Sequence, residues 1–308
     1  MRLLQILARP AQSTGFSTLA VRTVLPLALC GWLATGLIVT QAEARKLTPG
    51  EEVDLALVLA VDISYSMDRE EQRLQRLGYI SAITSPQVMK AIESGLIGKI
   101  AVSYIEWAGA TSQFTLVDWH VISDLHSAQD FAGALAEAPI KRAYRTSISG
   151  GLLFAGRLIE QIEAQPLRRV IDISGDGPNN QGGPVLEARE QVLSQGITVN
   201  GLPLVLSRTE KGWYDIDNLD VYYARCVIGG PGAFAIPVRD IEGFAEAVRM
   251  KLILEIAGQS QPQLVQPADY KPQDEEFCLI GERIWQDRIR QYDDDWRQNR
   301  LQIPDWKG

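Results

Sequence analysis

Histidine and cysteine are scarce in this sequence of 308 residues, which contains two of the first and three of the second. Zinc sites in proteins are mostly built from these two side chains. The two histidines, His120 and His126, also lie far along the chain from the polar loops described below. We therefore do not expect zinc in those loops.

Positive charge is also in deficit. The chain has 30 lysines and arginines against 38 aspartates and glutamates, which gives a net charge of −8. Nucleic-acid-binding proteins usually carry a basic patch or stripe that neutralises phosphates. Nothing in this sequence resembles such a stripe, so nucleic acid is excluded as the main partner.

Three catalytic signatures are missing as well. No Asp-x-Asp follows the first predicted strand, and the sequence has neither a G-x-x-x-x-G-K-[ST] phosphate loop nor a G-x-S-x-G nucleophile elbow. Each of these motifs places a nucleophile or a phosphate group where a strand ends. Their absence favours a protein that is not an enzyme.

The longest apolar run lies near the N-terminus. Three arginines precede this run, residues 24–40, and Ala42-Glu43-Ala44 follows it as an A-x-A cleavage pattern. We predict that residues 1–44 are a signal peptide and that the protein is periplasmic or secreted. If the run stayed uncleaved it would be a membrane anchor, and the protein would be a subunit of an envelope assembly.

The rest of the chain alternates predicted strands with predicted helices. The strands are residues 55–61, 99–107, 113–121, 169–174, 197–205 and 233–238. The helices are residues 68–83, 127–138, 148–162, 185–194 and 240–257, with Asp68 and Glu71 as a capping pair and Asp240 as a cap. This alternation predicts an α/β fold with an open, mostly parallel sheet covered by helices on both faces.

Two details refine this fold. The first strand is apolar at every position, as in a strand buried on both faces. The second and third strands are joined by a short turn, which predicts an antiparallel hairpin. We expect one domain over residues 53–257, then a linker rich in Gln and Pro and a C-terminal helix at residues 281–299, which together form an extension over residues 258–308.

Polar side chains follow two of the predicted parallel strands. Asp62, Ser64 and Ser66 come directly after the first strand, and Asp176 follows the fourth. Thr146 lies in the loop before the third helix. Ligands of open α/β sheets bind outside the carboxyl ends of the strands. Two carboxylates and three hydroxyls are hard oxygen ligands, so we predict a site for Mg²⁺, Mn²⁺ or Ca²⁺.

Simpler interpretations of these residues stay open. Ser64 and Ser66 could cap the first helix or hydrogen-bond the loop, and Thr146 could be an N-cap, because these are common uses of hydroxyl side chains. Asp62 could be a loop residue. Asp176 could be an ordinary turn residue. Ser147 and Ser149 could also take the place of Thr146 in a metal site. The five positions together favour the metal site over these separate explanations.

The order D-x-S-x-S, a separate Thr and a later Asp-Gly turn resembles the metal-ion-dependent adhesion site, or MIDAS, of von Willebrand factor type A domains. The resemblance covers about residues 53–257 and extends to a family of exported bacterial proteins of this type. It implies a doubly wound sheet with one antiparallel edge strand. It also implies a metal ion with an open coordination position, which an acidic side chain of a partner protein fills.

The resemblance therefore implies a protein-interaction module that works through a metal ion and is not an enzyme. The alternative is a metal-assisted hydrolase that uses the same crevice.

Two cysteines lie beyond the predicted signal peptide, Cys226 and Cys278. In an oxidising compartment an even pair of cysteines is typical of a disulfide. We predict that these two are linked, which would tie the C-terminal segment to the domain. Two separate buried thiols are the alternative.

Overall fold

A computed structural model describes residues 47–206, 215–258, 266–267 and 275–301. The predicted signal peptide lies outside these residues, as do residues 207–214 and most of the predicted linker. Within the described ranges, no helix has the length and apolar character needed to cross a bilayer.

The described residues form a sheet of seven strands. In chain order the strands are β1 (Glu52–Asp62), β2 (Ile100–Trp107), β3 (Gln113–Ile122), β4 (Gln165–Gly175), β5 (Thr198–Pro203), β6 (Phe234–Ala235) and β7 (Gln266–Pro267). Their spatial order is β3-β2-β1-β4-β5-β6-β7. The five strands in the middle of this order, β2, β1, β4, β5 and β6, run parallel. β3 is the antiparallel edge strand that the predicted hairpin required. The short β7 adds a second antiparallel strand at the other edge.

Helices cover both faces of this sheet. They are α1 (Arg69–Ile83), α2 (Pro86–Glu93), α3 (Leu125–Glu137), α4 (Ile148–Glu160), α5 (Val185–Ser194), α6 (Leu219–Tyr222), α7 (Phe244–Ala257), α8 (Glu275–Cys278) and α9 (Ile280–Leu301). The capping box of α1 is confirmed, because Asp68 accepts from the Glu71 amide and Glu71 from the Asp68 amide. The predicted α/β fold is thus confirmed.

One helix was missed and two local predictions were wrong. Helix α2 was not predicted, although Ser85 caps it and Pro86 occupies its first position. Asp240 does not cap α7, which begins at Phe244; its carboxylate accepts from the Gly243 amide in the turn before the helix. The strand predicted over residues 233–238 is interrupted, because β6 spans only Phe234–Ala235 and Val238 adds an isolated parallel bridge to Leu204.

The burial of β1 explains its uninterrupted apolar sequence. Leu57 and Leu59 lie in the core cluster shared with α1, α3 and α7. Val58 and Ala60 lie in the opposite cluster, shared with α4 and α5. A strand covered on both faces gains hydrophobic burial at every position, so it shows no alternation of apolar and polar residues.

The predicted disulfide is confirmed. Cys226 lies in a π-helical turn, Tyr223–Val227, and pairs with Cys278 at the end of α8, with 5.4 Å between the Cα atoms. The bond brings the start of α9 to the loop after β4. Gly281 is required there, since a Cβ atom at this position would lie 2.1 Å from the Asn179 carbonyl oxygen.

Candidate metal-binding site

Four of the five predicted ligands follow two adjacent strands. β1 and β4 pair in parallel with Val61 opposite Ser174, so the loops that follow them leave the sheet at the same edge. Asp62 is the last residue of β1, and Asp176 directly follows the last residue of β4. The parallel register therefore brings together two carboxylates that are 114 positions apart in the numbering of the chain.

Hydrogen bonds join four of the five predicted residues into one chain of oxygens. The Ser64 amide donates to Asp62 Oδ1 over 2.7 Å. The Ser64 and Ser66 hydroxyl oxygens are 2.7 Å apart, and the Ser66 hydroxyl donates to Asp176 Oδ1 over 2.6 Å. The alternating spacing of D-x-S-x-S thus turns these side chains towards one another.

The capping interpretation of the two serines is wrong, since Asp68 caps α1. The same holds for Thr146, because the N-cap of α4 is Ser147, whose hydroxyl accepts from the Gly150 amide. The hydroxyls of Ser147 and Ser149 face each other at 3.3 Å.

Thr146 is joined to the loop after β4 through its backbone. Its amide donates to Asn180 Oδ1 over 3.0 Å, and the Asn180 amide donates to the Thr146 carbonyl over 2.8 Å. Its hydroxyl oxygen lies 4.0 Å from where a Cβ atom of Gly177 would be. Thr146 is therefore held beside the Asp-Gly turn, at the same edge of the sheet as the other four residues.

Asp62 is in an unfavourable environment for a carboxylate. The residue is fully buried, and its Oδ2 atom has no hydrogen-bond partner among the described residues. Burial raises the pKa of Asp62 well above its usual value, and the negative charge of Asp176 adds to this effect. A buried, unpaired anionic oxygen is costly, and a cation is the usual compensation.

Space beside this oxygen is kept open by Gly175. A Cβ atom there would lie 3.0 Å from Asp62 Oδ2 and 2.8 Å from the Tyr223 hydroxyl. That hydroxyl is also buried and without a hydrogen-bond partner among the described residues. Sequence reasoning missed Tyr223, because no local pattern connects this π-helical turn to β1.

A cavity of about 490 Å³ opens at the serines and Thr146. Its other lining residues are Tyr65, Tyr144, Arg145, Asn180 and Trp285. Only Tyr65 lies inside the motif that the sequence analysis used, and Trp285 comes from α9. The site therefore combines the domain with the C-terminal extension.

The fold is a von Willebrand factor type A-like α/β fold. The chain belongs to the family described as "Protein of unknown function (DUF1194)", whose family model matches residues 52–260. None of the curated proteins compared with the chain is similar to it.

Several solved structures are similar to this chain in fold. The pilus adhesin SpaC from Lactobacillus rhamnosus GG aligns with a TM-score of 0.50 at 13% identity, over 67% of this chain and 31% of that one. A von Willebrand factor type A protein from Catenulispora acidiphila gives 0.44 at 13% identity, over 66% and 43% of the two chains.

Proximal thread matrix protein 1 from the mussel byssus, with a zinc-occupied MIDAS motif, gives a TM-score of 0.46 at 12% identity, over 68% of this chain and 49% of that one. The present chain thus spans less than half the length of each of these three proteins. At these identities the likeness concerns the fold alone.

Proposed function

We propose that this protein is an exported interaction module that binds a divalent cation and, through it, an acidic side chain of a partner protein. The proposed ligands are the two carboxylates and three hydroxyls already described: Asp62, Ser64, Ser66, Thr146 and Asp176. The cation is Mg²⁺, Mn²⁺ or Ca²⁺, all of which prefer oxygen ligands.

One observation carries this proposal. Asp62 Oδ2 is buried without a hydrogen-bond partner among the described residues, while the Ser64 amide joins the other carboxylate oxygen to a series of hydrogen bonds that runs through Ser64 and Ser66 to Asp176. A cation bound there would compensate the buried negative charge of Asp62 and its repulsion by Asp176. The residues present therefore fit a hard divalent ion.

The charge balance limits how an acidic partner could be bound. Two carboxylates already offset the two positive charges of the ion, so a third carboxylate gains little from net charge. It must be favoured by direct coordination to the metal, which is specific for a carboxylate at an open position. An acidic side chain of another protein is such a ligand.

A role without catalysis is supported by the sequence, which has none of the three catalytic signatures described above. The export proposal rests on the predicted signal peptide and agrees with the disulfide, which forms in oxidising compartments.

Calorimetric titration with Mg²⁺ and Mn²⁺ tests the metal site. Asp62→Asn keeps an oxygen for the Ser64 amide but removes the charge, and we expect the affinity to fall more than about 100-fold, beyond the loss typical of outer-sphere changes. Asp118→Asn, an exposed carboxylate on β3, is the matched control and keeps the wild-type affinity. Equal affinities in both variants would remove Asp62 from the site.

The non-enzymatic role has its own test. The purified protein with Mg²⁺ or Mn²⁺ should not hydrolyse phosphate esters or peptides. A measurable rate that is lost in Asp62→Asn and kept in Asp118→Asn would show the hydrolase alternative to be correct. Capture of envelope proteins with Mg²⁺, compared with capture in EDTA, would then identify the partner of the non-enzymatic module.

A further inference from the structure

Three basic side chains of one short loop lie over aromatic rings beside the candidate metal site. Lys141 Nζ is 4.7 Å from the centre of the Phe114 ring. The Arg142 guanidinium carbon is 4.4 Å from the Tyr65 ring centre, and that of Arg145 is 3.1 Å from the ring centre of Trp285. The three rings belong to β3, to the loop after β1 and to α9. We call the six residues the basic–aromatic rim.

This loop is fixed relative to the candidate ligands Ser64 and Ser66. The Ala143 amide donates to the Ile63 carbonyl over 3.1 Å, and Arg142 Nη2 donates to the Tyr65 carbonyl over 2.8 Å. The rings of Tyr65 and Tyr144 stack with 4.3 Å between their centres. The basic groups are thus held in place before any ligand arrives, which lowers the entropy cost of binding.

Of the three basic residues, Arg145 has the most constrained backbone. Its φ angle is 77°, a left-handed conformation that is costly for a residue with a Cβ atom. Neighbouring backbone bonds enforce this conformation, because Thr146 is paired to Asn180 in both directions and the Ser147 amide donates to the Ala108 carbonyl over 2.6 Å. Strain that the surroundings impose in this way is typical of functional loops.

The guanidinium of Arg145 lines the candidate site and is incompletely hydrogen-bonded. It lies against Trp285 in the cavity that also contains Ser64, Ser66 and Thr146, and its buried Nη1 atom has no hydrogen-bond partner among the described residues. An arginine stacked on a ring keeps its N–H groups along the edge of the guanidinium, where they can bind a carboxylate through two hydrogen bonds.

From this geometry we infer that the rim binds further carboxylates of the partner, so that the preferred ligand is a polypeptide segment with several clustered acidic residues. The inference rests on the proposed function for one of these carboxylates, which the metal ion would hold. Charge complementarity supports it, since a chain with a net charge of −8 carries three cationic side chains on this one loop, of which Arg145 lines the cavity and Arg142 lies over the lining residue Tyr65. The stacked tyrosines offer apolar contact between the charged groups.

Two fluorescent peptides test the inference on the full chain in a mild non-ionic detergent. Both are short Gly/Ser sequences; one contains a single aspartate and the other three adjacent aspartates. Fluorescence anisotropy with Mg²⁺ measures their affinities. We expect the three-aspartate peptide to bind about tenfold more tightly, through charge-assisted bonds to the arginines.

Variants separate the rim from the metal. The double variant Arg142→Gln/Arg145→Gln should reduce the ratio of the two affinities to below about twofold. Trp285→Leu, which keeps all charges, should reduce the ratio about threefold through the lost cation–π contact. Arg157→Gln is the matched control, because Arg157 lies over Phe154 but away from this cavity.

Each outcome decides one of the two proposals. An unchanged ratio in the double variant, equal binding of the two peptides by the wild type, or no binding of either peptide would overturn the role of the rim. Binding of the three-aspartate peptide that survives EDTA but is lost in the double variant would keep the rim and refute the metal-dependent function. Loss of all binding in EDTA, together with loss of the ratio in the double variant, supports both.

Discussion

The two ends of β1 each carry a buried aspartate, and the two differ in how their oxygens are satisfied. At the amino end, Asp54 accepts hydrogen bonds from the backbone amides of Ile97, Gly98 and Lys99, the shortest being 2.8 Å. At the carboxyl end, Asp62 accepts from the Ser64 amide through one oxygen, and its other oxygen has no hydrogen-bond partner among the described residues.

This difference separates a structural carboxylate from a candidate ligand. Asp54 fixes the loop between α2 and β2, and Gly95 is needed beside it, since a Cβ atom there would lie 2.3 Å from Asp54 Oδ2. The amino end also has the larger groove, about 670 Å³, against about 490 Å³ at the carboxyl end. Cavity size therefore does not identify the site, whereas an unsatisfied buried charge does.

The carboxyl end has a covalent tie as well, and its loss should have the largest effect on stability. Replacement of both cysteines, Cys226→Ser with Cys278→Ser, frees a loop of 52 residues, for which the chain-entropy model gives about 4 kcal/mol. We expect the free energy of unfolding in urea to fall by that order. A loss below about 1 kcal/mol would show that packing alone holds α8 and α9.

Substitution of Asp54 at the amino end should lower the free energy of unfolding nearly as much. In Asp54→Asn the three buried backbone amides lose a charged acceptor, and the weaker hydrogen bonds to a neutral oxygen cost about 3 kcal/mol in total. Urea unfolding measures this loss, and calorimetry on the folded fraction should show unchanged metal affinity. A drop in that affinity would break the distinction between the two ends.

A buried ionic cluster on β4, beside the middle of β1, makes stability depend on pH. Lys251 Nζ is 2.9 Å from Asp172 Oδ1 and also contacts Glu255, so that one ammonium serves two carboxylates. Burial raises the pKa of Asp172 to about 7, with the charge of Glu255 acting in the same direction and Lys251 opposing it.

The sign of the effect follows from this pKa. The folded protein binds the Asp172 proton more tightly than the unfolded chain, whose pKa is about 3.9, so the contribution to stability is complete below pH 4 and is lost as the pH rises through 7. We expect a loss of about 2 kcal/mol between pH 5 and pH 7 that Asp172→Asn removes. Parallel pH profiles of the two proteins in urea unfolding would contradict this assignment.

Asp62→Asn should have the smallest effect on stability and the opposite sign from Asp54→Asn. Without metal, removal of a buried charge that lacks a partner should raise the free energy of unfolding by about 1 kcal/mol. Saturating Mg²⁺ should then stabilise the wild type but not the variant, because only the wild type binds the ion. A clear destabilisation by Asp62→Asn without metal would mean that Asp62, like Asp54, is structural.

Much of the fold could be predicted because its signals are local. The apolar sequence of β1, the short turn before β3 and the pairing of Asp68 with Glu71 each act within a few residues. The short helix α2 and the late start of α7 were missed, since their limits depend on packing against the sheet. β7 was missed for the same reason: its two residues form a strand only because β6 lies beside them.

The sequence alone determined which candidate oxygen ligands are present and that most of them follow predicted parallel strands, because hydroxyl spacing and strand patterns are properties of short segments. Only the tertiary structure decided that β1 and β4 are neighbours and that Asp62 has an oxygen without a hydrogen-bond partner among the described residues. It also decided that Tyr223 lies near this oxygen and that Trp285 covers Arg145 from 140 positions along the chain. Burial and long-range contact depend on how the layers and the disulfide bring distant segments together, and no local pattern records this.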